Sequence, residues 1–252
     1  MQKIKTLLLV LTALVMWNGC DDDDVKPDKP DLPEFPIHVV INHEFNGSAL
    51  EMDKEQYVTE NKDTISVTRW IYHINKFKFY SDSGVVERPD LYFMVDVEDE
   101  ESLTLDFDSL NNWAFDSVSF NIGVMDSADN ADGVLNSMFT DPMYWGMING
   151  YINMKLEGRS NSVTSDSVYL LHIGGYMGNY KLAQSVTIDF NGNQLQNKLG
   201  RSDLTLDVDL ADYFKNPNVI DIATSSRIHK PNDDAKAISE NWPGMFSYGG
   251  IN

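Results

Sequence analysis

The sequence predicts an all-β fold: an antiparallel β-sandwich of the Ig-like or jelly-roll type, with a long central loop and one short C-terminal helix. Three observations carry this. Apolar and polar residues alternate with period 2 from Ile37 onward, short turn signals separate the alternating stretches, and no βα alternation interrupts them.

Ile37, Val39, Ile41 and His43 share one face of the first strand, with His38, Val40 and Asn42 on the other. Ile65 to Tyr80 reads as one long strand or two joined by a bend. Tyr92 to Asp96 is short and ended by acids, and Leu103, Leu105 and Phe107 alternate with Thr104, Asp106 and Asp108. Asp116 to Val124, Tyr151 to Glu157, Ser167 to Ile173, Ser185 to Phe190 and Leu204 to Val208 complete the set. Asp82-Ser83-Gly84, Asn191-Gly192-Asn193 and Gly200-Arg201-Ser202 mark turns. Leu210 to Phe214 fits one helical turn, and Asn232 to Asn241 fits the C-terminal helix, with Ala235, Ile238 and Trp242 at helical spacing. Met125 to Gly150 is the long irregular stretch, and loops of that length are usually functional or disordered.

Residues 1–19 read as a secretory signal: Lys3 and Lys5, then an apolar run from Leu7 to Trp17 that is too short to span a bilayer needing about 20 residues. Cys20, the one cysteine, comes directly after Gly19 and fits a lipobox, with Trp17 and Asn18 departing from the usual small and apolar residues. Its acyl chains would anchor the protein to the membrane. Residues 20–36 form a tether: Asp21 to Asp24 repel one another and stay solvated, and Pro27, Pro30, Pro33 and Pro36 stiffen the remainder of the segment. An acidic run directly after the lipidated cysteine resembles the export signal of surface lipoproteins in some Gram-negative phyla. That resemblance implies the outer face of the outer membrane; a plain spacer on a periplasm-facing protein is the alternative. Residues 37–252 make one domain large enough to bury a real core.

A net charge of −20 excludes nucleic acid and anionic lipid surfaces as ordinary partners and is compatible with cations. No phosphate-binding loop, dinucleotide fingerprint, nucleophile elbow or H-E-x-x-H pair is present, so nothing points to an enzyme. Asp126-Ser-Ala-Asp129-Asn-Ala-Asp132-Gly133 has the composition of a calcium loop. Its spacing fails, since Phe139 falls where the twelfth-position carboxylate belongs, and an acidic solvated loop is the better reading.

Five histidines remain to be placed. His43 continues the core-facing set, so it is either a metal ligand or a core imidazole satisfied by a hydrogen bond. His172 ends a strand just before Gly174-Gly175, where backbone can approach closely, and is either a ligand or structural. His229 lies in a loop beside Pro231. His73 sits among apolar neighbours as a structural residue, and His38 faces solvent. Imidazole suits copper, and the thioethers of Met138, Met143 and Met147 around Trp145 would suit Cu(I), although methionine more often packs.

Three stretches together resemble a known family. They are Asn42-His43-Glu-Phe-Asn46-Gly47; Met143-Tyr-Trp145 through Gly150-Tyr151 to Glu157-Gly158, with Leu171-His172-Ile-Gly174-Gly175 behind it; and His229 with Ala237 to Phe246 beyond it. In this order they resemble the MbnP-like copper-binding proteins, over residues 37 to 247. The resemblance implies a β-sandwich, a mononuclear copper site built from histidines (here His43, His172 and His229), and an oxidisable tryptophan beside the metal, here Trp145. It also implies a separate di-haem, peroxidase-like partner that performs the oxidation. The chain departs from the family pattern at Met147, where a second tryptophan is often found, and in Tyr72-His73-Ile74-Asn75. The expectation is a copper-binding lipoprotein without turnover of its own. The rival is a metal-free glycan- or protein-binding module with Tyr144, Trp145, Tyr176, Tyr180 and Trp242 as stacking surfaces.

Overall fold

The computed structural model describes residues 36–54, 57–108, 110, 114–124, 142–146, 150–196 and 202–252. The signal segment, Cys20, the tether up to residue 35, the Asp126–Gly133 loop, Met138 and Met147 lie outside the described residues. In chain order the strands are β1 (Ile37–Phe45), β2 (Ser48–Ala49), β3 (Tyr57–Val58), β4 (Thr64–Ser81), β5 (Gly84–Asp96), β6 (Thr104–Phe107), β7 (Ala114–Phe115), β8 (Ser117–Ile122) and β9 (Tyr144–Gly146). They continue as β10 (Gly150–Ser160), β11 (Val168–Gly174), β12 (Tyr176–Met177), β13 (Tyr180–Lys181), β14 (Gln184–Asp189), β15 (Leu195–Gln196), β16 (Ser202–Asp209), β17 (Arg227–Ile228) and β18 (Phe246–Ile251). The helix α1 (Asp233–Met245) precedes β18. No described helix is long and apolar enough to cross a membrane.

Two sheets carry the described domain. One runs β18-β16-β1-β2 with β6 also on β1; the larger runs β14-β8-β4-β10-β11-β17, with β3 and β5 on β4 and β9 on β10. The all-β class stands, but pairing is mixed rather than wholly antiparallel: β1 runs parallel to β16, and β11 parallel to β17. Alternation within a strand reports which face is buried and is blind to the direction of the neighbour.

The apolar face of each sheet meets the other. Ile37, Val39 and Ile41 of β1 and Leu204, Leu206 and Val208 of β16 pack in one cluster with Trp70, Tyr72, Phe77, Phe79 and Phe120 of the larger sheet. Phe246 of β18 stacks edge-on against both Tyr72 and Phe120, joining the layers.

The long strand β4 resolves the choice between one strand and two. Lys76 takes a left-handed φ of 53°, and the registers to β5 and β8 both shift there. One extra residue flips the alternation. Trp70, Tyr72 and Ile74 face the core before the bulge, and Phe77 and Phe79 face it afterwards. Its partner β5 is longer than the Tyr92–Asp96 segment expected, because Pro89 and flanking charges disguise a strand that, among the described residues, pairs with β4 alone.

The C-terminal helix starts as expected, with Asn232 Oδ1 accepting from the Ala235 N–H at 2.7 Å. It runs past Asn241 and includes Pro243, whose missing N–H removes a bond only in the last turn. Trp242 and Met245 hold that turn by full burial.

Candidate metal centre on the outer face of the larger sheet

The register of β4, β10 and β11 assigns each candidate to a face. Directly paired residues share a face, and adjacent residues on a strand point oppositely. Ile71, Lys155 and His172 form one cross-strand row; Trp70, Leu156 and Leu171 form the next. The second row belongs to the inter-sheet core. The first row therefore lies on the outer face, and His172 points away from the core.

His172 is half-buried there, and its Nε2 stands 2.6 Å from Oε1 of Glu157, two residues along β10 from Lys155. A carboxylate only accepts, so Nε2 carries the proton and Nδ1 is left with a lone pair. Burial holds the imidazole below its ordinary pKa against the opposing pull of Glu157, and Lys155 and His229 push the same way as burial. The ring is thus neutral near pH 7, the form that can bind a metal.

His229 reaches the same place from the loop after β17, which pairs Ile228 with Leu171. The His172 and His229 rings meet edge to face with centroids 5.1 Å apart. The glycines after His172 permit this approach. A Cβ on Gly174 would sit 2.3 Å from the Tyr151 carbonyl, and one on Gly175 would sit 2.7 Å from the Tyr180 carbonyl and 2.9 Å from Pro231 Cγ. Pro231 is two residues beyond His229, so Gly175 admits the loop that brings that histidine in. Trp145 packs with Ile71, Met143 and Ile152 in a small cluster separate from the main core. Through Ile71 it belongs to the same outer face as His172.

His43 is elsewhere. It faces the inter-sheet core, 7% exposed, with its ring 4.8 Å from Trp70 and its Nε2 2.9 Å from the Tyr72 hydroxyl. Burial lowers its pKa to about 4 and raises that of Tyr72, so the pair is neutral. The expectation that one site gathers His43, His172 and His229 is corrected: His43 packs on the inner face of the larger sheet, against Trp70 and Tyr72, and His172 with His229 lies on its outer face. The alternation that aims His43 inward is sound; on this sheet inward is away from His172.

His73 is buried, with Nδ1 3.2 Å from the Ile152 carbonyl. His38 is more covered than expected, its Nδ1 2.6 Å from an Asp106 carboxylate oxygen. Trp242 is fully buried and cannot stack on a sugar, which removes one member of the aromatic set expected for glycan binding. Sequence alone assigns no role to Glu157. The usable signal is its period-2 relation to Lys155 on a strand neighbouring that of His172.

The family model MbnP matches residues 35–231, most of the chain. The chain belongs to the MbnP family. Among solved structures, MbnP from Methylosinus trichosporium aligns with a TM-score of 0.55 at 11% identity, covering 88% of this chain and 99% of that one. At that identity the likeness concerns the fold alone. No curated protein matches the sequence.

The MbnP family is associated with copper, and two observations fit that metal to the outer face of this member. Metal–nitrogen bonds of about 2 Å place imidazole centroids about 5 Å apart when two rings share one ion, as His172 and His229 are. A ligating histidine also commonly donates its other ring N–H to a carboxylate, as His172 does to Glu157. Among the described residues no group of three or more His, Cys, Asp or Glu is arranged to hold a metal, so the pair would need further donors.

Proposed function

We propose that this MbnP-family protein binds copper on the outer face of its larger sheet, through His172 and His229, without catalytic turnover of its own. The observation that carries this reading is the imidazole pair with Glu157 on the Nε2 of His172. Copper supplies a redox-active centre when bound. Glu157 fixes the tautomer and orientation of His172, Gly175 admits the His229 loop, and Trp145 offers an oxidisable indole on the same face. In this reading His43 is a core residue.

Cys20 anchors the protein to the outer membrane, and Asp21 to Asp24 mark it for the cell surface; a periplasm-facing orientation is the alternative. The partner is a di-haem, peroxidase-like protein that oxidises Trp145. Both statements rest on the sequence resemblances, and both have direct tests. Cys20→Ser should release the protein from the membrane fraction, and Trp145 should be the first residue to gain oxygen, by peptide mass analysis, when such a partner is supplied.

Metal analysis tests the central claim. The wild type should retain about one copper per chain, since first-row metals favour copper at nitrogen sites. The double variant His172→Ala, His229→Ala should hold none while its circular dichroism is unchanged. Full occupancy in that variant would falsify the ligand assignment. A metal-free wild type that bound sugars would transfer the case to a glycan-binding module.

A further inference from the structure

A second feature lies at another part of the β4–β10 ladder and shares no residue with the histidine pair. It is a cavity of about 270 Å³ lined by Thr64, Ser66, Arg159, Ser160, Asn161 and Ser167, together with Ile65. Its lining is five hydroxyl or amide side chains, one arginine and a single apolar residue, without an aromatic ring.

Arg159 sets the chemistry. The chain has twice as many carboxylates as cations, 39 against 19, and the other described arginines are all paired. Arg69 binds Asp96 and Glu98, Arg88 binds Asp90, and Arg227 binds Asp166. Arg159 has no carboxylate within ion-pair distance among the described residues. Asp166, adjacent to the lining residue Ser167, is held by Arg227. On so acidic a surface, a guanidinium left without an anion at the edge of a hydroxyl-lined cavity is a fork of donors with no acceptor.

The backbone holds the lining in place. The Ser160 N–H donates to the Ser167 carbonyl at 2.9 Å, and Ser167 sits at a left-handed φ of 59°. The Thr64 N–H donates to Asn161 Oδ1 at 3.2 Å. Ser66 and Arg159 are direct cross-strand partners, so the Ser66 side chain stands on the same face as the guanidinium.

We propose that this cavity is an anion subsite that takes the carboxylate or phosphate group of a small molecule on Arg159, with the hydroxyls of Ser66 and Thr64, on the same face by period 2, as secondary donors. A neutral sugar is disfavoured, because nothing in the lining offers a ring to stack on.

The test is a titration of the full-length protein, following the arginine Nε–H and the backbone amides by NMR. Sodium acetate supplies the carboxylate, inorganic phosphate the tetrahedral anion, and glucose the neutral control, all at constant ionic strength. Saturating shifts confined to Arg159 and residues 64–66, 160–161 and 167 are expected with acetate, phosphate or both, and which anion saturates identifies the source. Arg159→Gln should weaken binding roughly tenfold or more, the loss of charge-assisted hydrogen bonds. Arg159→Lys should fall between the two, because it keeps the charge and loses the fork. Three results would overturn the proposal: shifts that rise linearly at all arginines together, an unchanged titration in Arg159→Gln, or saturation by glucose and by neither anion.

Discussion

His43 and His172 are the same residue type on opposite sides of one sheet, and their surroundings give them different chemistry. His43 is enclosed by Trp70 and Tyr72, hydrogen-bonded to a neutral hydroxyl and held uncharged by burial. His172 is half open, bonded to a carboxylate and beside a second imidazole. An imidazole whose partner is a buried phenol is already satisfied. One whose partner is a carboxylate at Nε2 presents its remaining lone pair to whatever sits at Nδ1. Burial and partner, more than residue type, separate a core histidine from a ligand.

The comparison breaks if copper tracks the wrong histidine. His43→Gln should keep full copper stoichiometry, whereas loss of His172 with His229 should abolish it. Loss of copper in the His43 variant would show that the two faces are coupled.

The next effect separates the faces by stability. The folded pKa of His43 is lowered to about 4 from an ordinary 6.5. Between those values the unfolded chain binds a proton that the folded one refuses. The stability from His43 is therefore complete above about pH 6.5 and drains away as pH falls toward about 4. The shift corresponds to on the order of 3 kcal/mol. Urea denaturation across that range should show wild type losing this much more than His43→Gln, which cannot titrate. Parallel curves would mean that His43 protonates freely in the folded protein.

The part of this that is legible in the sequence is the part that alternation reports. Period 2 locates the main core strands and places His43 inward and His172 near a close backbone approach, because burial writes directly into residue type. It does not report the parallel pairing of β1 with β16, since strand direction leaves no mark on alternation. Nor does it show that the inward side of β1 and the side of β11 bearing His172 lie on opposite faces of the larger sheet, which depends on how the sheets stack. Glu157 escapes notice because carboxylates are abundant in this chain, and only the β10–β11 register distinguishes it from the others. The terminal strand Phe246–Ile251 is hidden by Gly249-Gly250, which weaken a strand signal while Phe246 and Tyr248 anchor the pairing to β16.

The smallest effect sharpens the outer face alone. Glu157→Gln keeps an oxygen that can accept from His172 Nε2 but removes the charge. Carboxylate partners of ligating histidines are worth about 10–100-fold in metal affinity. With the hydrogen bond retained, the loss should fall near the lower end, about tenfold at neutral pH. The pH dependence carries a sign of its own. Glu157 raises the pKa of His172 against the stronger effect of burial, so the variant imidazole stays neutral to lower pH than the wild type. At neutral pH both rings are deprotonated, and only the lost basicity and orientation are felt. On acidification the wild-type ring begins to protonate first and copper meets proton competition there first, so the gap between the two proteins should narrow. Competition titrations against a copper chelator at about pH 7.5 and about pH 5 read this directly. Equal affinities at both pH values would remove Glu157 from the site and leave the imidazole pair without its orienting partner.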